Sequence, residues 1–155
     1  MKSKGMLFKS EMVRAILDGS KTQTRRIASL GLVADDQIWV RETFYVESED
    51  GAIFYKADRE SDELLQMLKI QGERNCSWKP SLFMPKAFSR ITLKLIDVKK
   101  QWLRDMTEAD AVAEGFKSLG SFVGYWDAIH SKHFERQWVS NPTVFVYTFE
   151  KLESV

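Results

Sequence analysis

Ile16-Leu17-Asp18-Gly19-Ser20-Lys21-Thr22-Gln23-Thr24-Arg25-Arg26 takes the chain out of an apolar helix end and into a run of cations and hydroxyls. Its last eight residues hold three cations, three hydroxyls and a glycine. Ser10 to Asp18, just before, reads as an amphipathic helix with Val13, Ile16 and Leu17 on one face. Ser10 is a candidate N-cap and Glu11 suits the positive end of the helix dipole. Gly19 is the expected stop, because it takes a left-handed conformation without penalty. A segment as polar as Lys21–Arg26 is either a solvated basic turn or the wall of a site that wants cations and hydroxyls.

Outward from this stretch, the bulk composition narrows the field. A chain of 155 residues with 44% hydrophobic and 29% charged residues is expected to form one ordinary domain, spanning 1–155, with its own core. The formal charge of +1 gives no overall drive towards nucleic acid or membrane, so any electrostatic footprint must be local. No apolar run is long enough to span a bilayer, and Met1–Met6 lacks the apolar stretch of a signal peptide. Cys76, the single cysteine, makes neither an internal disulfide nor a metal site alone. A reduced, cytoplasmic protein is expected, with no cofactor and no metal.

Met6–Phe8 reads as a first strand. Gln37–Val46 alternates, with Ile38, Val40, Glu42, Phe44 and Val46 on one face and Trp39, Arg41, Thr43 and Tyr45 on the other. Glu42 is the odd member of the apolar face. It is either a carboxylate paired with an arginine near a sheet end or a charge turned into a lined cavity. Ala52–Ala57 reads as a returning hairpin strand, 59–71 as a surface helix and 72–85 as irregular, so that 48–85 resembles an insertion. Phe88–Val98 is a strong strand. Thr107–Asp110 opens a short helix ending at Glu114, with Gly115 as its stop. Ser121 is expected to cap a longer helix with a stripe of Phe122, Tyr125, Trp126, Ile129 and His133. Thr143–Glu150, apolar on both faces, reads as a central strand. These spacings fit a mixed α+β domain better than a doubly wound one.

Three positions could carry chemistry. Lys21 sits beside Arg25 and Arg26, and like-charge repulsion lowers its pKa towards that of a general base. Thr24 offers a hydroxyl nearby. Glu114 ends its helix beside Asp110, and both the dipole and the like charge raise its pKa. The alternative for each is plain exposure. His130 and His133 are spaced i, i+3, but no third ligand is evident and a metal site is rejected.

The run Ile16–Arg26 resembles the signature of the ASCH domain family. Trp39–Phe44, Trp78–Ser81, Met84-Pro85, Ser89–Leu93 and Asn141-Pro142 are similar to stretches of its phage and prophage branch. The resemblance implies a PUA-like fold: a small curved β-barrel with flanking helices and a cleft for a nucleoside or RNA. Some small bacterial members are amidohydrolases that remove the acetyl group of N4-acetylcytidine. By resemblance to these, Lys21 is the proton acceptor, Thr24 the nucleophile and Glu114 the proton donor. Arg25 and Arg26 are implied in ligand contact, Trp39 or Tyr45 in stacking on the base, and Arg41 and Glu42 in the same binding surface. A non-catalytic RNA- or nucleotide-binding module, or a ribonuclease, is the alternative the resemblance leaves.

Overall fold

Thr143–Lys151 (β7) is the strand on which the others assemble. It runs antiparallel to Thr92–Trp102 (β6) on one side and to Gln23–Arg26 (β2) on the other. The computed structural model describes residues 1–58, 63–72 and 76–153. Ser3–Leu7 (β1) and Gln37–Arg41 (β3) complete a sheet of order β1-β3-β6-β7-β2, with β1 and β3 parallel. A two-stranded hairpin, Phe44–Val46 (β4) with Ile53–Tyr55 (β5), stands apart from it.

The two apolar faces of β7 explain its central place. Tyr147 and Phe149 point into one core with Val13 and Ile16 of Ser10–Leu17 (α1). Val144 and Val146, on the alternate face, pack with Ala111 of Glu108–Ala113 (α3) and with Phe122 and Trp126 of Leu119–Ile129 (α4). Tyr147 is fully buried, and its hydroxyl accepts from the Leu30 N–H at 3.1 Å. In β6 the register slips between Leu95 and Asp97, which leaves Ile96 as the extra residue of a bulge and turned to solvent.

The structure modifies several expectations. Gln37–Val46 is two strands in two sheets, because the chain breaks at Glu42–Thr43. The Lys21–Arg26 segment becomes strand β2 from Gln23 onward. Lys9, not Ser10, occupies the N-cap of α1, with no side-chain cap, and Leu17 is turned outward while Met12 and Ala15 are buried. Ser118 caps α4 and Ser121 answers it as the third helical residue. The helix stops at Ile129, so His133 is off the stripe and pairs with Glu135 at 3.5 Å. The surface helix is observed as Glu63–Ile70 (α2); its expected start at 59–62 and part of the irregular run, 73–75, lie outside the described residues.

The resemblance implied a small curved β-barrel with flanking helices; the observed α+β fold has that kind of sheet, which does not close on itself among the described residues. Its edges are β1 and β2, and no ladder joins them among the described residues. A side chain spans the gap instead: Arg26 Nη2 donates to the Leu7 carbonyl at 2.8 Å, its guanidinium lying 4.8 Å from the Phe8 ring centroid.

Candidate active site

A cavity of about 360 Å³ lies where the sheet fails to close. Leu7 comes from the β1 edge; Thr24, Arg25 and Arg26 come from the β2 edge. Lys21 and Glu114 meet in its wall. Chain connectivity fixes their positions. Gly19, at φ 86°, turns the chain out of α1, and three backbone bonds then pin the link to β2. Lys21 N–H donates to Ala15 O at 3.0 Å, Thr22 N–H to Ala113 O at 2.8 Å, and Phe149 N–H to Thr22 O at 3.0 Å. Glu114 is the C-cap of α3, a helix opened by the Thr107–Asp110 capping box. Gly115, at φ 98°, lets the chain leave α3 against the Lys21 stem; a Cβ there would lie 3.2 Å from the Ala15 Cβ and 3.4 Å from the Lys21 Cβ.

The polar groups form a dense, buried cluster. Lys21, Thr24, Arg25 and Glu114 are each at most 4% exposed. Lys21 Nζ donates to the Glu114 backbone carbonyl at 2.8 Å and lies 3.7 Å from Glu114 Oε2. The Arg25 N–H donates to Glu114 Oε1 at 3.1 Å. The Arg25 guanidinium donates to the Gln23 side-chain carbonyl and reaches Glu114 Oε2 at 3.8 Å and Asp110 Oδ2 at 3.5 Å. Glu114 Oε2 and Arg25 Nε are buried without a hydrogen-bond partner. Unmet capacity of this kind is costly in a core and useful in a binding site.

Burial drives the Lys21 pKa below its ordinary value, with Glu114 pulling the other way. Burial likewise lifts the Glu114 carboxyl above its ordinary value, opposed by Lys21, Arg25 and Arg26. Low-dielectric surroundings penalise both charged forms and bring the pair towards mutual neutrality. The directions are those expected from sequence. The dominant cause is different: desolvation, rather than the dipole and neighbouring charges. Asp110 faces Arg25 and not Glu114.

The far wall is aromatic. Phe122, Tyr125, Trp126, Ile129 and His130 line the cavity along α4 and its C-cap. Phe116 braces them, 5.1 Å from Tyr125 and 5.4 Å from Phe122 between ring centroids. Trp126 is locked by its Nε1 donating to Arg136 O at 2.7 Å. Burial pushes the Tyr125 phenol up to about 12, and burial with nearby Arg136 and His133 depresses His130, so both rings are neutral walls at pH 7.

The remaining sequence candidates lie elsewhere. Trp39, Arg41, Glu42 and Tyr45 do not line this cavity. Trp39 lies over Gly5, where a Cβ would come within 2.7 Å of the indole, and Arg41 stacks on it at 5.3 Å and donates to Leu82 O. Tyr45 is buried with Leu65, Leu68 and Cys76. Glu42 is fully buried and takes a two-pronged contact from Arg90, at 3.1 Å and 3.0 Å, which is the arginine-paired reading. Lys9, Thr43, Ser81 and His130 line the cavity without having been singled out as ligand contacts. The helical period of the α4 stripe runs through Trp126 to His130, the C-cap, and does not continue to His133 because the helix ends at Ile129.

The arrangement is an α+β fold with a buried Lys21–Glu114 pair in a pocket that Thr24 also lines, with one ionic and one aromatic wall. Two solved structures share the fold. One is an ASCH domain from Lactobacillus crispatus JV V101, with 14% identity and a TM-score of 0.52 over 97% of this chain and 79% of that one. The other is a protein from Enterococcus faecalis V583 assigned to family DUF984, with 10% identity and a TM-score of 0.51 over 98% of this chain and 80% of that one. The chain therefore has an ASCH-domain, PUA-like fold. No family model and no curated protein matches its sequence. Among the described residues, no helix is long and apolar enough to cross a membrane.

Proposed function

We propose that the cavity binds a nucleoside and hydrolyses an acyl amide on its base, as an N4-acetylcytidine amidohydrolase does. The observation that carries this reading is the buried contact of Lys21 and Glu114, 3.7 Å apart in a wall they share with Thr24. A lysine whose pKa is lowered is better placed to accept a proton, and a carboxyl whose pKa is raised is better placed to donate one.

In the first half-reaction Thr24 Oγ1 attacks the acyl carbon and its proton passes to Lys21. The C–N bond then breaks, and Glu114 protonates the leaving exocyclic amine. In the second half, water attacks the acyl-threonine ester and gives a proton to Glu114. The Thr24 oxygen recovers its proton from Lys21, and the acid product leaves. Arg26, on the same wall, supports the developing oxyanion. The aromatic wall of Phe116, Tyr125 and Trp126 suits a flat base.

The same burial weakens the binding-only alternative for this stretch. Lys21 and Arg25, at 4% and 3% exposure, are too enclosed to track the phosphates of a polymer. Purified protein incubated with N4-acetylcytidine should release cytidine and acetate in equal amounts. Absence of turnover across a series of N4-acylated cytidines would overturn the proposal.

A further inference from the structure

Charge in the cavity is lopsided. Lys9, Lys21, Arg25 and Arg26 line it against one carboxylate, Glu114. Whether Lys21 and Glu114 face each other as ions or as a neutral pair, the excess is the same. Asp110 offsets part of it by pairing with Arg25 from outside the cavity. Two of the four cations, Lys9 and Arg26, make no ion pair among the described residues. Arg26 donates to a neutral carbonyl, and the Lys9 ammonium sits 5.6 Å from the Tyr125 ring centroid. Glu11, in the first turn of α1, does not line the cavity.

Depth orders these groups. Lys21 and Glu114 are enclosed, Arg26 is half-buried, and Lys9 is exposed on the link between β1 and α1. The half-buried Thr43 and Ser81 line the same cavity. A nucleoside with its acylated base at the Lys21–Glu114 end would project its sugar towards Lys9. The cavity, at about 360 Å³, is of small-molecule size.

We propose that the ligand is phosphorylated: Lys9 takes the 5′-phosphate of an acylated pyrimidine mononucleotide. This rests on the nucleoside reading above, but its test does not need turnover. The probes are the deacylated products, cytidine and cytidine 5′-monophosphate, titrated calorimetrically into the intact chain. The monophosphate should bind about ten-fold more tightly at low salt, and the ratio should shrink towards unity by about 0.5 M salt. Lys9→Gln should erase the ratio. Lys100→Gln, a charge change on β6 away from the cavity, should preserve it.

Equal affinity for the two probes overturns the proposal, as does failure of both to bind. Inorganic phosphate or a short single-stranded RNA binding as tightly as the monophosphate also overturns it. If N4-acetylcytidine is not hydrolysed but the monophosphate advantage and its Lys9 dependence hold, the phosphate site stands and the hydrolase reading falls. If acylcytidine is hydrolysed with no advantage for the phosphate, the reverse follows.

Discussion

Glu114 shows how surroundings change the chemistry of one side chain. Sequence places it at a helix end, where a carboxylate is disfavoured by a few tenths of a kcal/mol to about 1 kcal/mol. The fold adds near-complete burial and three neighbouring cations. The rate should therefore follow a bell-shaped pH profile. Catalysis needs Glu114 protonated and Lys21 neutral. The acid limb is then protonation of Lys21, at a pH below the ordinary lysine value of 10.5, and the alkaline limb is ionisation of Glu114, above the ordinary carboxyl value of 4.5. The two groups are in contact, so the limbs belong to the pair. Glu114→Gln should remove one limb along with most of the activity; an unchanged profile contradicts the assignment. Tyr147→Phe tests a residue outside the site. It leaves the Leu30 N–H without its buried acceptor and should cost about 1 kcal/mol in denaturant unfolding, with no change in turnover.

At the scale of elements, β2 was the least legible part of the fold. Gln23, Thr24, Arg25 and Arg26 have no apolar alternation, which is the signal that betrays a half-buried strand. Their partners are a polar cavity and a helix end rather than an oily core, so the pattern was written in charges. The central strand β7 was legible for the opposite reason, since both of its faces meet apolar layers. The Glu114 helix was legible because its capping box is local chemistry. Trp39 and Tyr45, suggested as stacking rings, have ordinary partners in Gly5, Arg41 and a small apolar cluster; no sequence pattern separates such rings from the Tyr125–Trp126 wall.

Asp36 belongs to this scale too, because it fastens the start of β1 to the turn before β3. Its carboxylate accepts from the Lys2 N–H at 2.7 Å and the Val33 N–H at 2.9 Å, and those two bonds hold its pKa below 3.8. A depressed carboxyl stabilises the fold above its unfolded value and loses that contribution as pH falls through the folded one. Asp36→Asn should lower the melting temperature at pH 7, and the gap to wild type should close below pH 3.8. A gap that persists at low pH would mean the asparagine perturbs packing instead.

Over the whole molecule, an ionic junction helps join the hairpin β4–β5 to the main sheet. Arg90 bridges the buried Glu42 and Asp58 and stacks on Tyr55 at 4.1 Å, while Tyr55 donates to Phe88 O at 2.7 Å. Removing Arg90 strands a fully buried carboxylate, which costs about 3 kcal/mol. Arg90→Ala should therefore unfold at markedly lower denaturant, and Glu42→Gln in that background should recover part of the loss. Equal stability of wild type and Arg90→Ala would show that the junction holds nothing together. Ser81, from the segment that follows the hairpin, lines the cavity, so loosening this junction should also raise KM.

The central claim is that the enclosed lysine is a base and not a structural cation. Its most direct test is the rate of N4-acetylcytidine hydrolysis by Lys21→Ala, with folding checked by circular dichroism. A positioned general base contributes about 10²–10⁴-fold, so the variant should fold and lose at least about a hundred-fold in kcat. A folded Lys21→Ala protein that hydrolyses the substrate at the wild-type rate contradicts the account.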